Sequence, residues 1–264
     1  MTRHHFSLWL LLAVAFVIFA VASAVGLPEV YGHQLKSAQI SDNIFSPRQE
    51  DSPLAADTAS LDTTVIEGPT FPVPVDTAAQ RILFIGDSML EGLGPRLAAY
   101  ARKNGHILYN VVWYSSTSEV WGRSDKLSRY IEQIRPTFIF VSLGANELFV
   151  TDIKNKRRQY VEKIISDIDT IPYLWIGPPN WKPDTGINDL IAESTPQGAF
   201  FLSNGMHFDR ARDGAHPTRA SAIEWMDSVM RWMPEHSFHP ICMELPEVAT
   251  ARPARVFVHQ PNER

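Results

Sequence analysis

From Arg81 to Met233, short runs that are apolar at nearly every position alternate with longer segments whose apolar residues recur every three or four positions. The short runs are RILFIG from Arg81, ILYNVVW from Ile107, TFIFVSLG from Thr137, YLWIGPP from Tyr173 and GAFFLSN from Gly198. The longer ones are MLEGLGPRLAAYARK, DKLSRYIEQI, TDIKNKRRQYVEKIISDID and TRASAIEWMDSVMRWM. A strand with no polar side must be buried on both faces, and strands alternating with helices are joined by crossovers. The pattern predicts an α/β domain. It is a doubly wound, three-layer sandwich around a central parallel sheet of about five strands, and it covers 78–233. In the third helix Ile153, Tyr160, Ile164 and Ile168 mark the expected core face.

The flanks differ. Arg3, His4 and His5 precede a run without charge from Phe6 to Pro28. At about 1.5 Å per residue that run can cross a hydrocarbon layer of about 30 Å. Residues 1–28 are therefore expected to be a single-pass anchor, with the basic end inside and the rest exported, as in a bacterial inner membrane with a periplasmic domain. The alternative is a secretory signal cut near Ala22-Ser23-Ala24. Residues 29–77 are rich in Pro, Ser, Asp, Thr and Ala without period, and read as a disordered linker. Residues 234–264 read as a C-terminal tail.

Of the 264 residues, 45% are hydrophobic and 20% charged, which suits a globular core. The net charge of −5 argues against a nucleic-acid partner. A single cysteine, Cys242, excludes an internal disulfide and a Cys-based zinc site. His236, His239 and Cys242 are evenly spaced but have no fourth ligand in view, so no metal is expected.

In an open parallel sheet, ligands bind beyond the carboxyl ends of the strands. The first strand ends in Gly86-Asp87-Ser88, the second in WYSSTS and the third in LGANE, while DGAHPT precedes the last helix. Asp213 and His216, three apart, can face the same side, where the carboxylate fixes the imidazole tautomer. A serine hydroxyl needs such a base to become a nucleophile. Asn146 carries an amide donor for a developing oxyanion, and the backbone N–H of Ser88 is a second. Taken singly, each of these residues is also what a turn or a helix cap would place there.

Together they resemble the SGNH hydrolases, the GDSL family of esterases and lipases, over about 81–220. The GDS block matches Gly86-Asp87-Ser88, the G-x-N-D/E block Gly144-Ala145-Asn146-Glu147, and the D-x-x-H block Asp213-Gly214-Ala215-His216. The resemblance implies a flavodoxin-like fold and a serine ester hydrolase without a cofactor. It makes Ser88 the nucleophile, His216 the base, Asp213 its partner and Asn146 an oxyanion donor. The family's second block carries a glycine whose N–H completes the oxyanion hole. This chain has YSSTSEVWG there, and Ser116 is the expected donor, with Ser115 and Thr117 as alternatives.

The expected substrate is a short acyl ester, such as an O-acetyl group on a polysaccharide. The same residues would serve an O-acetyltransferase, and the same fold a non-catalytic glycan-binding module. Trp113, Trp121, Trp175 and Trp181 lie near strand ends, where they would either stack on a sugar or pack in the core or rim. KNKRR, 154–158, reads as a solvated helix face.

Overall fold

The structure, a computed structural model, describes residues 72–261 and 263. The 1–28 segment and nearly all of the 29–77 linker lie outside the described residues. Among the described residues no helix is long and apolar enough to cross a membrane.

The elements run β1 (Arg81–Gly86), α1 (Leu90–Lys103), β2 (Ile107–Trp113), α2 (Ser118–Gly122), α3 (Lys126–Ile134), β3 (Phe138–Ser142), α4 (Ile153–Ile168), β4 (Tyr173–Ile176), α5 (Ile187–Ser194), β5 (Phe200–Phe201), α6 (Arg219–His236) and β6 (Arg255–His259). The strands form one sheet in the order β5-β4-β3-β1-β2-β6, and every pairing is parallel. This is the α/β architecture that the apolar runs predict.

Side chains alternate across the sheet, so each strand feeds two cores. Ile82 and Phe84 of β1 join Phe138 and Phe140 of β3 beneath α1 and α6. Leu83 and Ile85 join Ile139 and Val141 on the other face, against α3, α4 and α5. All eight are fully buried. In α3 Leu127, Tyr130 and Ile134 form the buried stripe. In α4 the stripe is Ile153, Val161, Ile164 and Ile168. Tyr160, expected in that stripe, instead lies beside it under the Arg123 guanidinium.

The sheet has six strands rather than five, and the sixth comes from the stretch read as a tail. After α6 the chain is a strap, not a loose end. Ile241 is buried, and Asp76 exchanges backbone hydrogen bonds with Pro240 and Cys242. That pairing also brings Asp76, at the end of the expected linker, into the folded unit. The strap then crosses α1, where Ala251 donates to the Pro95 carbonyl, and ends in β6 beside β2. RVFVH lacks the all-apolar pattern of β1 and β3 because neither of its faces is covered like theirs: its burial runs exposed, exposed, intermediate, exposed, intermediate.

One buried ion pair ties these parts together. Arg96 of α1 meets Asp227 of α6 through two contacts, Nε to Oδ1 at 2.6 Å and Nη2 to Oδ2 at 3.1 Å. Its Nη1 donates to the Val248 and Ala249 carbonyls of the strap. Tyr100 donates its hydroxyl to Asp227 at 2.9 Å, and burial followed by that bond pushes its pKa up to about 12. Asp227→Ala would leave a buried guanidinium unpaired, so the domain should lose about 3–5 kcal/mol, read from urea unfolding.

Candidate active site

A parallel sheet opens a crevice where successive connections leave one strand end in opposite directions. Here that point is β1 and β3: from β1 the chain moves out to β2, and it then returns to β3 on the other side. Ser88 follows β1, and Asn146 follows β3. Gly86 makes the turn possible. A Cβ there would lie 2.3 Å from both the Leu90 Cδ1 atom and the Ser142 carbonyl oxygen. Asp87 donates its N–H to that carbonyl, and its carboxylate accepts from the Met89 N–H at 2.9 Å. The chain thus passes from strand to helix within three residues, and Ser88 sits at the bend.

The Ser88 hydroxyl lies 2.8 Å from His216 Nε2, and His216 Nδ1 lies 2.8 Å from Asp213 Oδ2. The other Asp213 oxygen accepts from the N–H groups of Ala215 and His216. These backbone donors, and then the imidazole, pull the Asp213 pKa down to about 2, so the carboxylate stays ionised throughout the neutral range. The loop is braced as a narrow hairpin: Ala211 donates to the His216 carbonyl and Thr218 to that of Asp209. Arg210 clamps it, donating to the carbonyls of Ala215, Pro179 and Asn180. Nothing in the sequence marked Arg210, because its partners are all backbone oxygens.

The residues expected to serve an oxyanion lie across Ser88 from this loop. Among the described residues, the Ser88 N–H has no hydrogen-bond partner. Asn146 Nδ2 donates to the Ser116 carbonyl at 3.0 Å and, more weakly, to Asp87 Oδ2 at 3.3 Å. Ser116 is not the donor expected of it. Its N–H closes a turn on the Trp113 carbonyl at 3.1 Å, its hydroxyl accepts from Trp121 Nε1, and the residue is buried. The N–H groups of Ser115 and Thr117 have no partner among the described residues, so the two alternatives remain open. Ser115 has a φ of 55°, a left-handed position that favours glycine.

No protein-family model matches the chain, and no curated protein does. Solved structures do. A psychrotrophic esterase EstA from Pseudoalteromonas sp. is 19% identical with a TM-score of 0.42, covering 58% of this chain and 98% of its own. A lipase/acylhydrolase from Enterococcus faecalis is 16% identical with a TM-score of 0.44, covering 58% and 95%. A family 3 carbohydrate esterase of Clostridium thermocellum is 16% identical with a TM-score of 0.43, covering 58% and 94%. At such distances the chemistry rests on the residues themselves.

Two buried carboxylates back the site. Glu147, next to Asn146, is fully buried and accepts from the N–H and hydroxyl of Ser118 and from Arg157 Nε, each at 2.8 Å. It thereby pins the loop after β3 to the start of α2, although burial still raises its pKa. Asp87 is buried too, and desolvation outweighs its hydrogen bond from Met89, pushing its pKa up to about 7.

The tryptophans and the basic run differ from expectation. Trp113, Trp121 and Trp175 are core residues, and only Trp181 lies partly open, with its indole N–H on the Ala145 carbonyl. In KNKRR, Arg157 turns inward to Glu147 and Glu119, while Lys154 and Arg158 pair with Glu193 at the surface. Cys242 Sγ contacts Asn104, and His236 contacts the Trp232 carbonyl. Among the described residues no three His, Cys, Asp or Glu side chains are grouped to hold a metal ion.

Two measurements test this geometry. Asn146→Ala should lower kcat for ester hydrolysis about 10²–10³-fold, the usual cost of one oxyanion donor. Ser116→Ala, which removes only a hydroxyl bonded to Trp121, should lower it far less. The second concerns Asp87, whose folded pKa of about 7 lies above its unfolded value of 3.8. Between those values the folded chain keeps a proton that the unfolded chain releases, so stability falls as pH rises through this window. Relative to Asp87→Asn, the parent should lose on the order of 4 kcal/mol between pH 4 and 8, measured by urea unfolding.

Proposed function

We propose that this chain is a serine ester hydrolase of the SGNH type. The observation that carries the reading is the unbroken line from Asp213 through His216 to Ser88, with both links at 2.8 Å. His216 Nε2 takes the hydroxyl proton as Ser88 Oγ attacks the ester carbonyl. The carbonyl oxygen becomes an oxyanion facing the free N–H of Ser88 and the amide of Asn146. Both Asn146 hydrogens are already in use, and the longer bond to Asp87 is the one that yields to the substrate. Asp213, ionised, holds the imidazole tautomer and stabilises the imidazolium. The alcohol leaves with the proton from Nε2. Water, deprotonated by the same nitrogen, then releases the acid.

We take the acyl group to be short, as the resemblance to the esterases implies. On the oxyanion side Ser116, Ser118, Ala145 and Glu147 are all buried. The reading is an O-acetyl ester on a carbohydrate. The uncharged run from Phe6 to Pro28 supports an enzyme tethered to the membrane and acting outside the cytoplasm.

Hydrolysis of p-nitrophenyl acetate tests the reading. Ser88→Ala and His216→Ala should each lower kcat on the order of 10⁵–10⁶-fold, and the double variant should be scarcely worse, because the two act as one unit. Asp213→Ala should retain more. A Ser88→Ala protein with parental circular dichroism and parental rate would end the serine mechanism.

A further inference from the structure

A cavity of about 410 Å³ opens beside Ser88 and His216, between the first turns of α1 and α6. That volume is at the low end for small-molecule sites, which run roughly 300–1,000 Å³. One side of the cavity is apolar: Met89, Gly92, Pro95, Pro217 and Ala222. Gly92 and Ala222 keep it open where the two helices touch, since a Cβ on Gly92 would lie 2.7 Å from that of Ala222. The other side carries Glu91, Arg219 and Thr250.

The direction of the reaction decides what enters. Neither Asn146 nor the 115–117 loop lines this cavity. The carbonyl oxygen points toward those donors, which leaves the cavity for another part of the substrate. As the tetrahedral intermediate collapses, the C–O bond breaks, its electron pair goes to the alcohol oxygen, and that oxygen takes the proton from His216 Nε2. The alcohol must therefore lie on the His216 side, where the cavity is.

The polar groups decide its chemistry. Glu91 accepts from the Tyr114 hydroxyl and has a second oxygen to offer. Arg219 Nη2 donates to Thr250 Oγ1 at 2.8 Å, and no carboxylate lies within salt-bridge distance of it among the described residues. A long alkyl alcohol would desolvate both charges without pairing either. A phosphate or carboxylate would suit Arg219 but be repelled by Glu91. A neutral polyol satisfies both, with hydroxyls donating to Glu91 and accepting from Arg219, and C–H groups on the apolar wall. Resting on the hydrolase reading above, we propose that this cavity binds the alcohol part of the substrate, a single neutral sugar unit, and that Glu91, Arg219 and Thr250 determine specificity for it. Thr250 is delivered by the C-terminal strap, which Arg96 and Pro95 hold against α1.

The test uses the full chain with two kinds of acetyl ester: p-nitrophenyl acetate, and a panel of methyl glycosides carrying one O-acetyl group. Glu91 and Arg219 are exposed, so their variants should fold. Arg219→Ala and Glu91→Gln should each lower kcat/KM on the accepted glycosides about 10–100-fold, the loss of a hydrogen bond to a charge. Both should leave the deacylation rate unchanged, read after the p-nitrophenol burst, because the alcohol has gone by then. An equal loss on both substrates, or a loss that grows with acyl length from acetate to octanoate, would overturn the assignment. So would a parent that hydrolyses p-nitrophenyl acetate but no glycoside on the panel, with the hydrolase reading left intact. A parent inactive on every ester, and indistinguishable from Ser88→Ala, would remove the hydrolase reading and this one with it.

Discussion

The structure turns on the approach of β1 to β3 at Gly86. Only a residue without a side chain fits between the Leu90 side chain and the Ser142 carbonyl, so the strand can bend into α1 at once. That bend exposes Ser88 while the residues on either side stay buried. It also puts the Ser88 N–H beyond the reach of both strand and helix, since the helix bonds begin only with the Leu90, Glu91 and Gly92 donors. One steric constraint thus leaves, on the same residue, a hydroxyl within hydrogen-bond distance of His216 and an N–H without a partner among the described residues. Asn146 arrives beside them because β3 is the neighbour of β1.

Charge around the bend is divided between exposed and buried carboxylates. Asp213 is open to solvent and surrounded by donors, which keeps it ionised beside His216. Asp87 and Glu147 are sealed behind Ser88 and Asn146, where desolvation works against their charge. Glu147 offsets this with Arg157 and the Ser118 donors, so its task is to lock two loops together. Asp87 has only the Met89 N–H and a long contact from Asn146. A weakly held carboxylate there gives up the Asn146 amide more readily than a strong partner would, as the oxyanion role proposed for Asn146 requires.

Legibility in the sequence followed burial. β1 and β3 are covered on both faces, so their composition alone identified them, and the loops at their ends carried the motif residues to one edge. β6 was not legible because it is a half-exposed sheet edge reached by a Pro-rich strap rather than by a helix. α2 and α5 were missed because they are short, five and eight residues, and too brief to show a period. The tryptophans near strand ends showed what a residue is but not which way it points: strand alternation turned Trp113 and Trp175 into the core. The cavity was hidden for another reason. Its polar side is assembled from residues 91, 219 and 250, which only the docking of α1, α6 and the strap brings together.

The loop after β2 carries serines where the family that the sequence resembles has a glycine. Ser115 sits at a φ of 55°, where an L-residue other than glycine is strained by roughly 1–2 kcal/mol. The next residue holds the strain in place. Ser116 uses its N–H on Trp113, its hydroxyl on Trp121 and its carbonyl on Asn146. Trp113 is in turn fixed by packing edge-on to Trp121 and by its indole N–H on the Gln260 carbonyl just past β6. Ser116 therefore acts as a buried knot rather than as a donor. It uses its own N–H in the turn, while those of Ser115 and Thr117, on either side, have no partners among the described residues. The C-terminal edge of the sheet thus supports both sides of Ser88: the strap walls the cavity beside His216, and β6 anchors the tryptophan on which the opposite loop is built.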